Sequence, residues 1–270
     1  MSIDSAERTF DTVLWDEPEP GIIVITLNRP PMNAVNLPML AEIDRIIDIA
    51  HEDESIRVLI FTGSGARAFS AGADMGNFTS EFDAGPQPPN FFRHGNKISL
   101  IRLEKLAKPV ISAINGVAVG EGFEIAMASD FRIAARSARI GFPEANIGLI
   151  PASGGCSRIV KLVGLAKAKE MVLYGDLMPA EEAYRQGLLF KVVNDEELLA
   201  EAVKLGQHLA RKAPLALGMA KLVLAACADA DMATSHTLEM ISQTVLMNTQ
   251  DHNNGVQSFL NKEKPTFTGR

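Results

Sequence analysis

The chain has 270 residues, 47% of them apolar and 22% charged, with a formal charge of −7 at pH 7. Those proportions exclude a disordered or collagen-like chain, and the acidic balance argues against a protein that grips duplex nucleic acid, which would carry a basic face. A chain of this length hides roughly three quarters of its unfolded surface, so it needs neither disulfide nor metal to hold a core. The two cysteines, Cys156 and Cys227, make no disulfide framework, stand at no metal-ligand spacing and favour a reducing compartment. No apolar run approaches the ~18 residues of a transmembrane helix, and Asp4, Glu7 and Asp11 argue against a secretory or transit peptide. The expectation is a soluble cytoplasmic protein.

In chain order, Gly21 to Leu27 is a β-branched run closed by Asn28-Arg29-Pro30-Pro31, which predicts a strand ending in a turn. From Leu37 to about His51 the apolar positions Leu40, Ile43, Ile46, Ile47 and Ile49 fall mostly at helical spacing. Val58 to Thr62, Val110 to Ile114 and Asp130 to Ala135 predict further strands, so strand, turn and helix alternate and the class is α/β. The segment 80–93, with three prolines and Phe78, Phe82, Phe91 and Phe92 in or beside it, reads either as a surface loop or as a lid whose phenylalanines line a substrate channel. After about residue 196 the pattern turns helical over Glu196 to Lys212, Leu215 to Ala228 and Ala233 to Met247. The expected division is therefore a core over 1–196 and a helical region over 197–270, which packs on the core or on a neighbouring subunit.

Three segments carry candidate chemistry. Ala68-Phe-Ser-Ala-Gly-Ala-Asp74 follows the second strand, and its small residues around Gly72 suit either a tight turn or a ligand lying against main chain. Asn115 to Ser129 holds Gly120 and Gly122 where a helix should begin, which leaves unpaired N–H groups facing outward. It lacks the glycine and lysine spacing of a nucleotide-phosphate loop. Glu124, in the first helical turn, is either an ordinary helix-start charge or a functional acid. In the third segment, Ile140 to Gly155, Glu144 follows a proline among Phe142, Ile147, Leu149 and Ile150. A carboxylate in apolar surroundings tends toward a raised pKa, which suits a general acid or base. Glu124 and Glu144 thus make a plausible acid/base pair, with Gly72 to Asp74 and Gly120 to Gly122 available to supply N–H donors to one oxyanion. The five histidines are scattered without ligand spacing, so no metal site is expected. Asp74 is expected to cap its own turn.

Phe69-Ser-Ala-Gly-Ala-Asp74, Asn115-Gly-x4-Gly-x-Gly-x-Glu124 and Pro143-Glu-x3-Gly-x2-Pro151-x2-Gly-Gly155 resemble the three signatures of the crotonase (enoyl-CoA hydratase/isomerase) superfamily. The resemblance extends through Asn28-Arg29-Pro30 and Asn33-Ala34, through Leu173 to Leu188, and into Phe259 to Phe267, nearly the whole chain. It implies a spiral of ββα units with a C-terminal helical region that makes homotrimers, often paired into hexamers. It implies an acyl-CoA thioester substrate, no separate cofactor, and oxyanion-hole donors on the backbone N–H groups of Ala73 and Glu121. The two hydratase glutamates fall on Glu124 and Glu144, twenty residues apart, which would hold a water for syn addition across an α,β double bond. Coenzyme A would run past Asn33, Ala34, Arg67, Ala68 and Ala71, near Gly72, Asp74 and Gly120, with Lys262 or Lys264 available to its phosphates. The leading expectation is an enoyl-CoA hydratase, a lyase. The alternatives are another crotonase reaction on acyl-CoA (isomerase, hydrolase or lyase) and a non-catalytic RNA-binding homologue, against which the acidic charge and the glutamate pair both count.

The sequence departs from the family pattern at two positions. The middle of the Gly-x-Gly segment, usually glycine in the hydratases, is Glu121, and the residue after Pro151, commonly glycine, is Ala152. A backbone N–H survives at 121, but a negative charge aimed inward would oppose enolate formation. The Glu121 side chain is therefore expected to point away or to pair with a basic side chain.

Overall fold

The apolar β-branched runs become the centre of a six-stranded sheet. In a computed structural model, described over residues 8–76 and 100–270, the order is β1 (Val13–Glu19), β2 (Ile22–Leu27), β3 (Val58–Gly63), β5 (Val110–Ile114), β7 (Phe131–Ala135) and β10 (Lys191–Val193). Every neighbouring pair is parallel except β1 with β2. Strands buried on both faces need continuous apolar sequence, and all six residues of β3 are buried. A second, four-stranded sheet takes β4 (Ala68–Ser70), β6 (Val117–Val119), β8 (Arg139–Gly141) and β9 (Met178–Pro179).

The two sheets are joined by repetition. β3 passes directly to β4, β5 to β6, and β7 to β8, so each pair contributes one strand to each sheet. The helix Glu121–Met127 follows the second pair, and the helix Gly155–Lys169 follows the third. This is the ββα spiral that the resemblance implies. Its inside turns bring residues 71–74, 120–124 and 144–155 to one end of the small sheet.

The first helix, Leu37–Glu52, runs close to the predicted span and buries Met39, Leu40, Ile43, Ile46, Ile47, Ile49 and Ala50. Asn36 caps it, accepting from Met39 N–H at 3.1 Å. The helix Leu198–Ala210 lies on the large sheet, with Gly206 against Ile22 and Ile60. The helices Pro214–Cys227, Met232–Leu246 and Gln250–Asn261 then leave much apolar surface open, including Leu224, Met232, Ile241, Phe259 and Leu260. The last of these helices is absent from the sequence expectation. Among the described residues no helix is long and apolar enough to cross a membrane. The 80–93 loop or lid, with Phe78, Phe82, Phe91 and Phe92, lies outside the described residues.

Asn33 positions the turn that leads to the site. It is wholly buried at φ 52°, a conformation open chiefly to glycine and asparagine. Its amide donates to Ser64 O at 3.0 Å and Ala68 O at 2.9 Å, and its Oδ1 accepts from Arg29 N–H at 3.2 Å. These bonds fasten the 29–36 turn onto the β3–β4 connection. Asn33→Gly keeps the backbone freedom and deletes all three bonds, leaving buried carbonyls short of donors. Urea denaturation should show a loss of about 2–4 kcal/mol. An unchanged midpoint would show that the turn is held elsewhere.

Candidate active site

Val35 forms an isolated parallel bridge with Ala73. Its N–H donates to Gly72 O at 2.8 Å, and its carbonyl accepts from Asp74 N–H at 2.7 Å. Main-chain groups alternate in direction along an extended segment, so the Ala73 N–H points to the other side. There it meets no acceptor among the described residues. Gly72 turns with φ 86°, and a Cβ on it would lie 2.9 Å from Val119 O and 3.4 Å from Glu121 N. The two stretches of main chain approach this closely because position 72 is glycine. Glu121 opens the helix Glu121–Met127, so its N–H has no carbonyl one turn back to bond. It too lacks an acceptor among the described residues. Two free N–H groups thus stand on touching segments.

One cavity beside them is lined by Glu121, Glu124 and Glu144, with Leu37, Leu40, Met75, Ile147, Leu149 and Ile150 among its apolar walls. Glu124 is 2% exposed, and its Oε1 accepts from Gly155 N–H, the first residue of the helix Gly155–Lys169, at 2.6 Å. Burial pushes its carboxyl up to about 7; the Gly155 N–H opposes that shift and the Glu144 carboxylate adds to it. Glu144 sits on a single 3-10 turn, Glu144–Ile147. A Cβ on Gly120 would lie 3.1 Å from its Oε1, while its Oε2 is buried with no hydrogen-bond partner among the described residues. Burial raises this carboxyl above the ordinary glutamate range. Two carboxyls with pKa raised above the ordinary glutamate range suit proton transfer near pH 7.

The Glu121 side chain corrects the sequence expectation. It does not turn away, and among the described residues it meets no basic partner: it is 9% exposed, lines the cavity, and accepts from the Ser153 hydroxyl at 3.1 Å through Oε1. Burial first, and the neighbouring Glu124 second, push it up to about 8. The acid is therefore neutral at pH 7, which removes the inward negative charge that the sequence alone implied. The sequence offers no signal for this, because Ser153 lies 32 residues away and is brought over by the fold.

Of the other expected site residues, Ala71, Gly72, Ala73, Asp74 and Gly120 also line the cavity. Asp74 caps its turn, accepting from Gly76 N–H at 3.2 Å, and pairs with Arg29 at 2.7 Å. Asn33 and Ala68 are fully buried, and the Asn33 amide is spent on backbone carbonyls. Ala34 and the exposed Arg67 lie off the cavity lining, as do the exposed Lys262 and Lys264. Three supporting groups escape sequence reading: Ser153, the Gly155 N–H, and Arg158. Arg158 grips both oxygens of Glu104 at 2.7 and 2.8 Å and donates to Ser153 O at 2.7 Å. The Gly154-Gly155 pair ahead of an apolar run was the available cue, since it marks a helix start whose N–H groups need an acceptor.

Residues 17–270 match the enoyl-CoA hydratase/isomerase family. The chain belongs to that family. A crotonyl-CoA hydratase of Syntrophomonas wolfei is 37% identical over 255 residues, 94% of this chain and 97% of the relative. A 1,2-epoxyphenylacetyl-CoA isomerase of Escherichia coli is also 37% identical, over 93% of this chain and 97% of its own. The crystal structure of an enoyl-CoA hydratase from Bacillus anthracis superposes with a TM-score of 0.89 at 33% identity, covering 96% of this chain and all of that one. This member of the enoyl-CoA hydratase/isomerase family is an enzyme of the lyase type, hydratase-like, on the crotonase fold.

The raised carboxyls give a test that needs no substrate. A glutamate whose folded pKa lies above its unfolded value stabilises the fold fully below the unfolded value, and that contribution is lost as pH climbs through the folded one. For Glu121 the window runs from about 4.5 to about 8. Glu121→Gln cannot ionise, so its Tm relative to the parent should climb between about pH 4.5 and about pH 8 and level off above, as calorimetry at each pH would read. Parallel Tm curves would mean that Glu121 is already ionised in the folded protein.

Proposed function

We propose that the chain is an enoyl-CoA hydratase, adding water syn across the α,β double bond of a 2-enoyl-CoA thioester. The observation that carries this reading is the pair Glu124 and Glu144, both with raised pKa, lining one cavity beside two unpaired main-chain N–H groups. The thioester oxygen is held by the Ala73 and Glu121 N–H groups, and a water sits between the two carboxyls. Glu124, kept acceptor-ready by Gly155, takes a proton from that water as its oxygen bonds to the β-carbon. The π electrons move onto the thioester oxygen as an enolate, stabilised by both N–H donors. Glu144, whose buried Oε2 has no other partner, delivers its proton to the α-carbon, and the next water returns the pair to its starting state.

The CoA chain leaves past Ala71 and Asp74 at the mouth. Asn33, Ala34, Arg67 and Ala68 support this path through main chain or from outside the cavity, and Lys262 or Lys264 of a second copy reaches the phosphates. Isomerisation is the second reading, favoured by the equal identity to the isomerase relative. Mass spectrometry of the product formed from crotonyl-CoA separates the two: hydration adds one water to the mass, whereas isomerisation, which also removes the conjugated enoyl absorbance, leaves the mass unchanged.

Two predictions test the proposal. Glu124→Gln and Glu144→Gln should each lower kcat for crotonyl-CoA hydration by about 10²-fold or more, the usual weight of a general acid or base. The Kd for a saturated acyl-CoA should stay near the parent value. Undiminished turnover in Glu144→Gln would remove it from the reaction.

The second concerns assembly. Leu215 and Leu222 stay open on the helix Pro214–Cys227, and Met240, Ile241, Phe259 and Leu260 continue the exposed apolar surface beyond it. Contiguous area of this kind marks an interface, and the reading is that 197–270 builds a homotrimer, paired or not into a hexamer. An obligate interface buries roughly 2,000 Å² or more. Sedimentation at micromolar concentration should give three or six times the chain mass; a stable particle of single-chain mass would refute it.

A further inference from the structure

Glu121 is surplus to the reaction as derived: its N–H serves the thioester, and its side chain does nothing. Yet that side chain is 91% buried, which is costly for a carboxyl with a single hydrogen bond. Its two oxygens stand in different situations. Oε1 accepts from the Ser153 hydroxyl at 3.1 Å, so a proton on this acid resides on Oε2. Oε2 has no hydrogen-bond partner among the described residues and is not sealed in protein, so it opens onto the cavity that Glu121 lines. Glu121 and Glu124 lie three residues apart on one helix, which puts them on one face, both turned toward the 151–155 segment. The acyl carbons that follow the reacting double bond therefore pass an O–H donor in a wall that also carries Leu37, Leu40, Ile147, Leu149 and Ile150.

We infer that Glu121 determines substrate class: the cavity takes acyl-CoA thioesters whose chain carries a neutral oxygen acceptor (ether, hydroxyl or carbonyl) beyond the β-carbon, and Glu121 Oε2–H donates to that oxygen. A plain alkyl chain expels the water from the cavity and leaves the acid without a partner. An oxygen on the chain restores the bond. Sites built to hydrogen-bond a substrate group discriminate against analogues lacking it, because their own polar atoms are left unpaired. The acid is neutral at pH 7, as burial and Glu124 dictate, so it donates rather than repels.

The inference rests on the acyl-CoA reading above, and its test is binding rather than turnover, so that the two fail separately. Hexanoyl-CoA and 4-methoxybutanoyl-CoA have equal chain length and differ by one methylene replaced by oxygen; pentanoyl-CoA and 3-methoxypropanoyl-CoA place the oxygen one atom nearer. Titration calorimetry on the parent protein should show one of the two ethers binding about threefold to tenfold more tightly than its hydrocarbon partner, the range of a single net hydrogen bond. In Glu121→Ala the ratio should fall to one or below. In Glu121→Gln, whose amide still donates, part of the preference should persist. Raising the pH beyond about 8 should erode the preference of the parent but not of Glu121→Gln.

A parent ratio at or below one for both ether pairs overturns the inference without recourse to any variant. So does a ratio that Glu121→Ala leaves unchanged. Failure of the parent to hydrate crotonyl-CoA or either ether's 2-enoyl form would sink the hydratase reading, while the binding ratio still decides the role of Glu121.

Discussion

Three buried or half-buried carboxyl groups line one cavity, and burial together with their mutual repulsion disfavours all three carrying charge at once. Burial is the largest cause of the raised pKa in each, and the nearest hydrogen bonds pull the other way. Glu124 has the Gly155 N–H and sits near neutrality. Glu121 has a hydroxyl and stays protonated. Glu144 has an Oε2 with no partner among the described residues, and burial raises its carboxyl. The same chemical group thus stands in three environments, which differ in depth of burial, in neighbouring charge and in the main chain and hydroxyl that face it.

Those facing groups come from one short stretch, 151–155, and its own placement becomes a structural requirement. Arg158, one turn into the following helix, holds Ser153 O and closes a bidentate pair on Glu104. A two-point guanidinium grip fixes orientation as well as distance. Arg158 is only 7% exposed while the Glu104 side chain is 38% exposed, so the grip is shielded from water on the guanidinium side alone. On the opposite side of the cavity the Val35–Ala73 bridge does the corresponding work with backbone bonds alone. The walls are set by rigid pieces, and the acids inherit their positions from them.

Much of this was legible in the sequence, for physical reasons that also mark where legibility stops. Ile22–Leu27, Val58–Gly63 and Val110–Ile114 announce themselves because strands buried on both faces must be apolar throughout. Val13–Glu19 does not, since an edge strand ending in Asp-Glu-Pro-Glu has only one face to bury. Ala68–Ser70, Val117–Val119 and Arg139–Gly141 are three residues each, too short to show any period. The helix Gln250–Asn261 hides behind two asparagines and a glycine, poor helix formers that Thr249 offsets by capping. Glu124 and Glu144 stood out by their glycine and proline flanks. The Glu121 environment did not, because a side chain's partner 32 residues away is decided by how two helices meet, and no local pattern records that.

Position 121 holds two separable assets in one residue, and they answer to different kinds of change. The free N–H belongs to the main chain, so any of eighteen other amino acids supplies it equally and only proline takes it away. The carboxyl belongs to the side chain and is fully open to replacement. Ordinary genetic drift can therefore rewrite what the cavity welcomes while the hydrogen-bond donor beside it persists untouched. A donor kept in the backbone outlasts replacement of the side chain it shares a residue with, so the cavity wall at 121 can change by single steps while that N–H stays in place.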